Sequence, residues 1–221
     1  MAGSTADEAM LFMGQGPMLS VEEQKKFAKS AVGDAVPYLK EEDKKYYEEF
    51  KQVCRFKEPG LIETEFMNEL MFRVPMLQQL DVQSAFNKTY CYYWSYPSSN
   101  PDIGAPHSVE IIFVFNDRGA GTSSTFNGTN IADEIFKDVQ QTWTNFARRG
   151  DPSTDRIEWK AYSADDQNVM DIAGPGDWRI KKGLLADQYK AVLPLVNYYQ
   201  FMDKYFTPGY LLDIVAARDE K

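Results

Sequence analysis

Histidine is nearly absent from this chain: His107 is the only one in 221 residues, and the cysteines number two, Cys54 and Cys91. There is no C-x-x-C pair to suggest zinc, and two thiols read equally well as one bridge or as two buried free groups. Basic charge is also scarce. The chain carries 24 lysines and arginines against 33 acids, for a net charge of -9, with no basic cluster to reverse that balance locally. Such a surface repels a phosphate backbone, so nucleic acid is excluded as a partner. Long apolar runs are missing too. The longest, such as IIFVF at 111–115, fall far short of the roughly 20 residues needed to span a bilayer, so no membrane span is expected. The N-terminal MAGSTADEAM lacks the basic segment and apolar stretch of a secretory signal, leaving no visible address in the chain.

What is present suits a folded core, with 43% hydrophobic and 14% aromatic residues. Two tripeptides, Asn87-Lys88-Thr89 and Asn127-Gly128-Thr129, are glycosylation acceptors that would fit a secreted protein.

Periodicity predicts a helix-rich chain. Ser20 and Glu23 form a capping box for a first helix with Phe27, Ala28 and Ala31 on its apolar stripe, ending near Gly33. A second helix is expected from about Glu41 to Cys54, with Tyr46, Phe50 and Val53 at helical spacing. A long helical region from Ile62 to Phe86 carries Phe66, Leu70, Phe72, Leu77 and Leu80, with a kink expected at Pro75. The aromatic run from Thr89 to Tyr96 reads as a strand, and Pro97 to Pro106 as a loop. Another helix is expected over Asn130–Arg149, with Ile131, Ile135, Val139, Trp143 and Phe146 on one face, and a last one around Asp187–Tyr205. Weaker strand patterns occur at Val169–Ile172 and Trp178–Ile180. Helices thus outnumber strands, as if they lacked the sheet they should cover, and the chain is expected to be part of something larger.

His107 lies where the Gly/Pro-bearing loop meets the apolar run, a position from which a loop residue can present an imidazole to a cleft. By itself it reads more readily as a structural or solvent-exposed histidine than as a catalytic one. Glu110 reads either as a helix-face charge or as a buried carboxylate ordering the region, and Asp7-Glu8 as a plain acidic pair.

Larger motifs go further. GAPHSVEIIFVF at 104–115 resembles the catalytic-histidine segment G-A-x-H-x-x-E-[IL]-x-[YF]-V-F of type-B carboxylesterases and cholinesterases. WTNFARRGDP at 143–152 is similar to their W-x-N-F-A-x-x-G-[DN]-P segment. IEWKAY at 157–162 resembles their W-P-x-[YF], with Lys160 in place of the usual proline. GSTADEAMLF at 3–12 is similar to G-x-[TN]-x-D-E-G-x-x-F, with Ala9 in place of glycine.

The resemblance implies that residues 1–221 are the C-terminal part of an α/β-hydrolase domain. The fold class it implies is α/β, a partial α/β-hydrolase fold, helix-rich with few strands. It implies that Glu8 is the acid and His107 the general base of a Ser-Glu-His triad for carboxylic ester hydrolysis, with no cofactor or metal. Its partners would be a small ester substrate and the missing N-terminal part, and the complete protein would be secreted or extracellular. No G-x-S-x-G elbow and no glycine-rich oxyanion segment occur in the chain, so it is expected to be inactive alone. The alternatives are a non-catalytic cholinesterase-like adhesion or interaction module, and an inactive truncated product.

Overall fold

The computed structural model describes residues 1–10, 41–98, 100, 103–117 and 133–196. In chain order these form β1 (Ala2–Thr5), α1 (Glu41–Val53), α2 (Leu61–Asn68), a π-helical turn (Glu69–Arg73), α3 (Val74–Ser84), β2 (Cys91–Trp94), α4 (Ile111–Val114), α5 (Asp133–Arg149), β3 (Asn168–Gly174), β4 (Asp177–Lys182) and α6 (Ala186–Val196). The expected helix over residues 20–33 lies outside the described residues, as do Ile131 and the chain beyond Val196. The described residues fall into two compact units, one drawn from Met1–Gln24 and Met76–Leu184, the other from Lys25–Pro75 and Leu185–Lys221.

The first unit is built on a sheet of order β1-β2-β3-β4, parallel except for the antiparallel β3–β4 pair. Ala2 to Thr5 register against Cys91 to Trp94, which in turn register against Val169 to Ile172. Parallel neighbours need long crossovers, and between β2 and β3 the chain supplies one containing α4 and α5. Aromatic and β-branched side chains fill the layer between sheet and helices. Trp94 and Phe113 are fully buried with ring centroids 5.0 Å apart, and Phe113 meets Phe136 of α5 at 4.7 Å. Ile135 and Val139, one turn apart on α5, are buried with them.

The sequence reading finds β2, β3 and β4 but not β1. Ala-Gly-Ser-Thr has little strand propensity, and its place in the sheet comes from packing. A Cβ on Gly3 would lie 2.3 Å from the Tyr92 ring, so the strand carries glycine where that ring crosses it. The run at 111–115 is a short helix rather than a uniformly buried segment: Ile112 and Phe113 are buried while Ile111 and Phe115 face outward.

The second unit packs α6 against α1 and the π-helical turn. On α1 the buried apolar side chains are Tyr47, Phe50 and the following Cys54, whereas Val53 is exposed, so the apolar stripe is rotated from the one expected through Tyr46 and Val53. Phe66 anchors it, with ring centroids 4.9 Å from Tyr47 and 5.2 Å from Phe50. Just before Pro75, where a kink is expected, the helical region contains a π-helical turn in which Val74 N–H bonds back to Glu69 O, five residues earlier.

Charged groups line this turn. Arg55 holds Glu65 through two hydrogen bonds of 2.6 and 2.5 Å, and Arg73 pairs with Glu69 at 2.7 Å. With its amide nitrogen toward the carboxylates, Gln188 of α6 donates to Glu69 at 3.0 Å and to Glu65 at 3.1 Å. Burial acts to raise the Glu65 carboxyl, but Arg55, Arg73 and Asn68 together hold it below its ordinary range. Burial instead pushes Glu69 up to about 7, against the pull of Arg73. Cys54 and Cys91 are both free thiols.

Candidate active site

In parallel sheets, ligand sites form where chains leave the carboxyl ends of neighbouring strands. Here β1 leads within three residues to Glu8, and β2 leads into the loop that carries His107. The adjacency of the two strands sets Glu8 beside His107. Ala6 N–H extends the ladder to Trp94 O at 2.8 Å, and Asp7 then forms an isolated parallel bridge with Pro106.

Glu8 is buried, with its carboxylate fixed at both oxygens. Oε1 accepts the Thr5 N–H at 2.7 Å, and Oε2 lies 2.5 Å from His107 Nδ1. The His107 side chain is 38% exposed while that of Glu8 is 7% exposed, so the carboxylate backs a ring whose other side reaches the surface. A carboxylate on Nδ1 selects the tautomer with the proton there and leaves the lone pair on Nε2. The arrangement can therefore take up a proton at Nε2 and stabilise the resulting imidazolium.

The loop carrying the imidazole is tightly specified. Gly104 has φ +59°, and a Cβ there would lie 2.2 Å from Asp7 Oδ2. Its carbonyl accepts the Ser98 N–H at 2.7 Å. Ser108, directly after the histidine, has φ 69°, a left-handed conformation uncommon outside glycine. Val109, Ile112 and Phe113 then anchor the turn in the core.

A second carboxyl stands close by. Glu110 Oε1 accepts a hydrogen bond from the Tyr92 hydroxyl at 3.3 Å. Burial pushes the Glu110 carboxyl up and the Glu8 charge adds to this, while its own backbone N–H, the Tyr92 hydroxyl and His107 pull the other way. Burial likewise raises the Tyr92 phenol, with the Glu110 charge adding to it. Glu110 is half-buried with its Oε2 enclosed, so it is neither the plain helix-face charge nor the fully buried carboxylate of the two sequence readings. Sequence reasoning assigns no part to Asp7, Gly104 or Tyr92. The one available signal is position, since Asp7 and Gly104 belong to the two quoted motifs and Tyr92 lies in the strand between them.

Among the described residues no group of three or more His, Cys, Asp and Glu side chains is placed to hold a metal ion. Nor, among those residues, is any helix long and apolar enough to cross a membrane.

Known proteins share this arrangement of strands and helices. A solved PNB esterase has a TM-score of 0.59 and 21% identity, over 86% of this chain and 37% of that one. A thermophylic PNB esterase gives a TM-score of 0.60 at 20% identity, with the same coverage. The sheet and helices are thus part of the esterase α/β-hydrolase fold. Acylcarnitine hydrolase of Mus musculus is 30% identical over 130 residues, which are 55% of this chain and 23% of that protein. Para-nitrobenzyl esterase of Bacillus subtilis (strain 168) is 27% identical over 106 residues, 47% of this chain and 22% of that protein. Bile salt-activated lipase of Homo sapiens is 31% identical over 120 residues, 49% of this chain and 15% of that protein. The matched stretch thus amounts to less than a quarter of each of these relatives. A sequence model of the carboxylesterase family matches residues 1–192, and the chain belongs to that family.

Proposed function

We propose that this chain supplies the acid and the histidine of a Ser-Glu-His triad for carboxylic ester hydrolysis, completed by a serine on polypeptide outside these 221 residues. The observation that carries the reading is the bond between Glu8 Oε2 and His107 Nδ1, built where two parallel strands of a carboxylesterase-family chain end. His107 Nε2 removes the serine proton as the hydroxyl oxygen attacks the ester carbonyl, giving a tetrahedral oxyanion and an imidazolium held by Glu8. The oxyanion collapses, the bond to the alcohol oxygen breaks, and the imidazolium returns the proton to the departing alcohol. Water then repeats the sequence on the acyl-enzyme, releasing the carboxylic acid and restoring serine and neutral imidazole.

An ester of small-molecule size is the substrate in this reading, and the complete protein is secreted or extracellular. The exposed Asn87 within its glycosylation tripeptide fits that location. The hydrogen-bonded acid and histidine favour an esterase over an adhesion module, which has no use for a polarised imidazole.

The experiment is hydrolysis of p-nitrophenyl acetate by this chain and by a longer product of the same gene that includes a G-x-S-x-G elbow. The longer product is expected to turn over, and His107→Ala to lower its kcat by on the order of 10^4-fold or more. The chain alone is expected to show no His107-dependent rate. Saturable hydrolysis by the chain alone, or a longer product indifferent to His107→Ala, would overturn the proposal.

A further inference from the structure

The tripeptide Asn87-Lys88-Thr89 is divided by the fold. Asn87 and Lys88 are exposed, as are Ala85 and Phe86 before them, while Thr89 is buried. A glycosylation acceptor is read as a unit: the asparagine amide takes the sugar, and the hydroxyl two residues on is part of what is recognised. The folded chain therefore presents the half that carries a sugar and hides the half that recruits one.

Thr89 is held by Tyr162. Its Oγ1 donates to the Tyr162 carbonyl at 3.1 Å, and Tyr162 N–H donates to the Thr89 carbonyl at 2.8 Å, which makes an isolated antiparallel bridge. The Tyr162 hydroxyl donates to Asp81 Oδ1 of α3 at 2.6 Å, so this one residue holds the chain on both sides of Asn87. A transferase would have to break the bridge to reach the Thr89 hydroxyl, whose hydrogen bond is already made. The partner also comes late, because Tyr162 lies 73 residues after Thr89. At the usual pace of synthesis the tripeptide waits about 4–15 s for it.

We propose that Asn87 is an N-glycosylation site that is modified during synthesis, before Thr89 pairs with Tyr162, and is closed to the transferase once that pair has formed. The proposal rests on the reading of the complete protein as secreted, and adds the residue and the order of events. In the transfer, Asn87 Nδ2 attacks the anomeric carbon of an oligosaccharide carried on a polyprenyl diphosphate. The carbon–nitrogen bond forms, the carbon–oxygen bond to the diphosphate breaks, the amide gives up one proton, and nothing is oxidised or reduced. The finished fold keeps the product, since residues 85–88 are all exposed and leave room for a bulky sugar. The other tripeptide, at Asn127, lies outside the described residues.

Translation of the longer gene product with microsomes of the secretory pathway tests the site, read by peptide mapping after enzymatic release of glycans, which converts a glycosylated asparagine to aspartate. The expected result is a protease-protected product converted at Asn87. Asn87→Gln and Thr89→Ala should each remove that glycan, and Thr89→Ser should keep it. A protected product with Asn87 unmodified overturns the proposal alone, whereas a product left outside the microsomes overturns the secreted reading and the proposal with it. The order of events is read with a purified oligosaccharyltransferase and its lipid-linked donor, offered either the folded, unglycosylated gene product or a synthetic peptide of residues 83–93. Transfer to the peptide and none to Asn87 of the folded protein is expected. Transfer to both at equal rates would show that the Tyr162 bridge protects nothing, and a peptide that is refused would show that the tripeptide is no acceptor.

Discussion

Asp7 and Ala105 exchange two hydrogen bonds: Asp7 N–H donates to the Ala105 carbonyl, and Ala105 N–H donates to Asp7 Oδ2, each at 2.9 Å. This exchange ties the turn that holds Glu8 to the loop that holds His107, one residue before the acid and two before the base. The acidic pair therefore divides its work, Asp7 fixing the backbone of the loop and Glu8 fixing the ring.

Gly104 is the first test of that latch. Its φ is +59°, and a methyl group at this position would lie 2.2 Å from Asp7 Oδ2, which leaves no room for a side chain. Gly104→Ala is expected to destabilise the chain by about 1–3 kcal/mol and to weaken the low-field NMR signal of the His107 Nδ1 proton. Asp7→Ala should weaken the same signal, and the double variant should cost less than the two single costs added, because both act on one contact. Urea denaturation and the NMR signal read this out, and full additivity with an intact signal would show that the latch is incidental.

Gly3 gives a second test at a place remote in sequence from the motif around His107. Gly3→Ala pushes a methyl group into the Tyr92 ring, with an expected cost of about 1–3 kcal/mol from overpacking. A melting temperature equal to that of the unaltered chain would mean that the ring moves aside freely.

The buried acids beside the π-helical turn make opposite contributions to pH dependence. For Glu69, with a folded value near 7 against an ordinary 4.5, the folded state holds a proton between those two values that the unfolded state has lost. Its contribution to stability is thus fully present below the ordinary range and is lost as pH rises toward 7. Glu65, held below its ordinary range, contributes stability that is present above that range and lost on acidification. Urea midpoints at pH 5 and pH 7.5 should fall with rising pH more steeply in the unaltered chain than in Glu69→Gln, whose amide does not titrate. Equal slopes would place the proton elsewhere.

The legible parts of this molecule are those written in side chains that dominate their surroundings. The helix ending at Arg149 shows in the spacing of Ile135 and Val139, and β2 in its run of aromatics, because those residues are bulky enough to decide their own burial. Strand β1 is invisible in the sequence because alanine, glycine, serine and threonine say little on their own, and the reason for Gly3 is a ring 89 positions away in β2. On α1 the pattern of apolar residues permits two stripes, and the Phe66 ring selects the one containing Tyr47. For the site, the motifs name Glu8 and His107, but the work of Asp7, Gly104 and Tyr92 lies in pairings across strands, which no local window contains.

Phe113 and Phe115 make the sharpest contrast, because one residue separates them and their surroundings are opposite. Phe113 is fully buried, with ring centroids 5.0 Å from Trp94, 6.0 Å from Tyr96 and 4.7 Å from Phe136, while Phe115 is 77% exposed. Phe113→Ala leaves a cavity where α4 is anchored and is expected to cost about 3–5 kcal/mol. Because that helix follows directly on the turn carrying His107 and Glu110, the same change should broaden the histidine ring signals. Phe115→Ala removes a ring that stands in water, so its effect should stay within about 0.5 kcal/mol and leave the histidine signals in place. It should also lower the binding of a hydrophobic dye, since Phe115 and Ile111 lie one turn apart on the outward side. Denaturation curves for the two variants decide the matter: a large loss from Phe115→Ala would mean that this ring is packed in solution and that α4 is anchored from both sides.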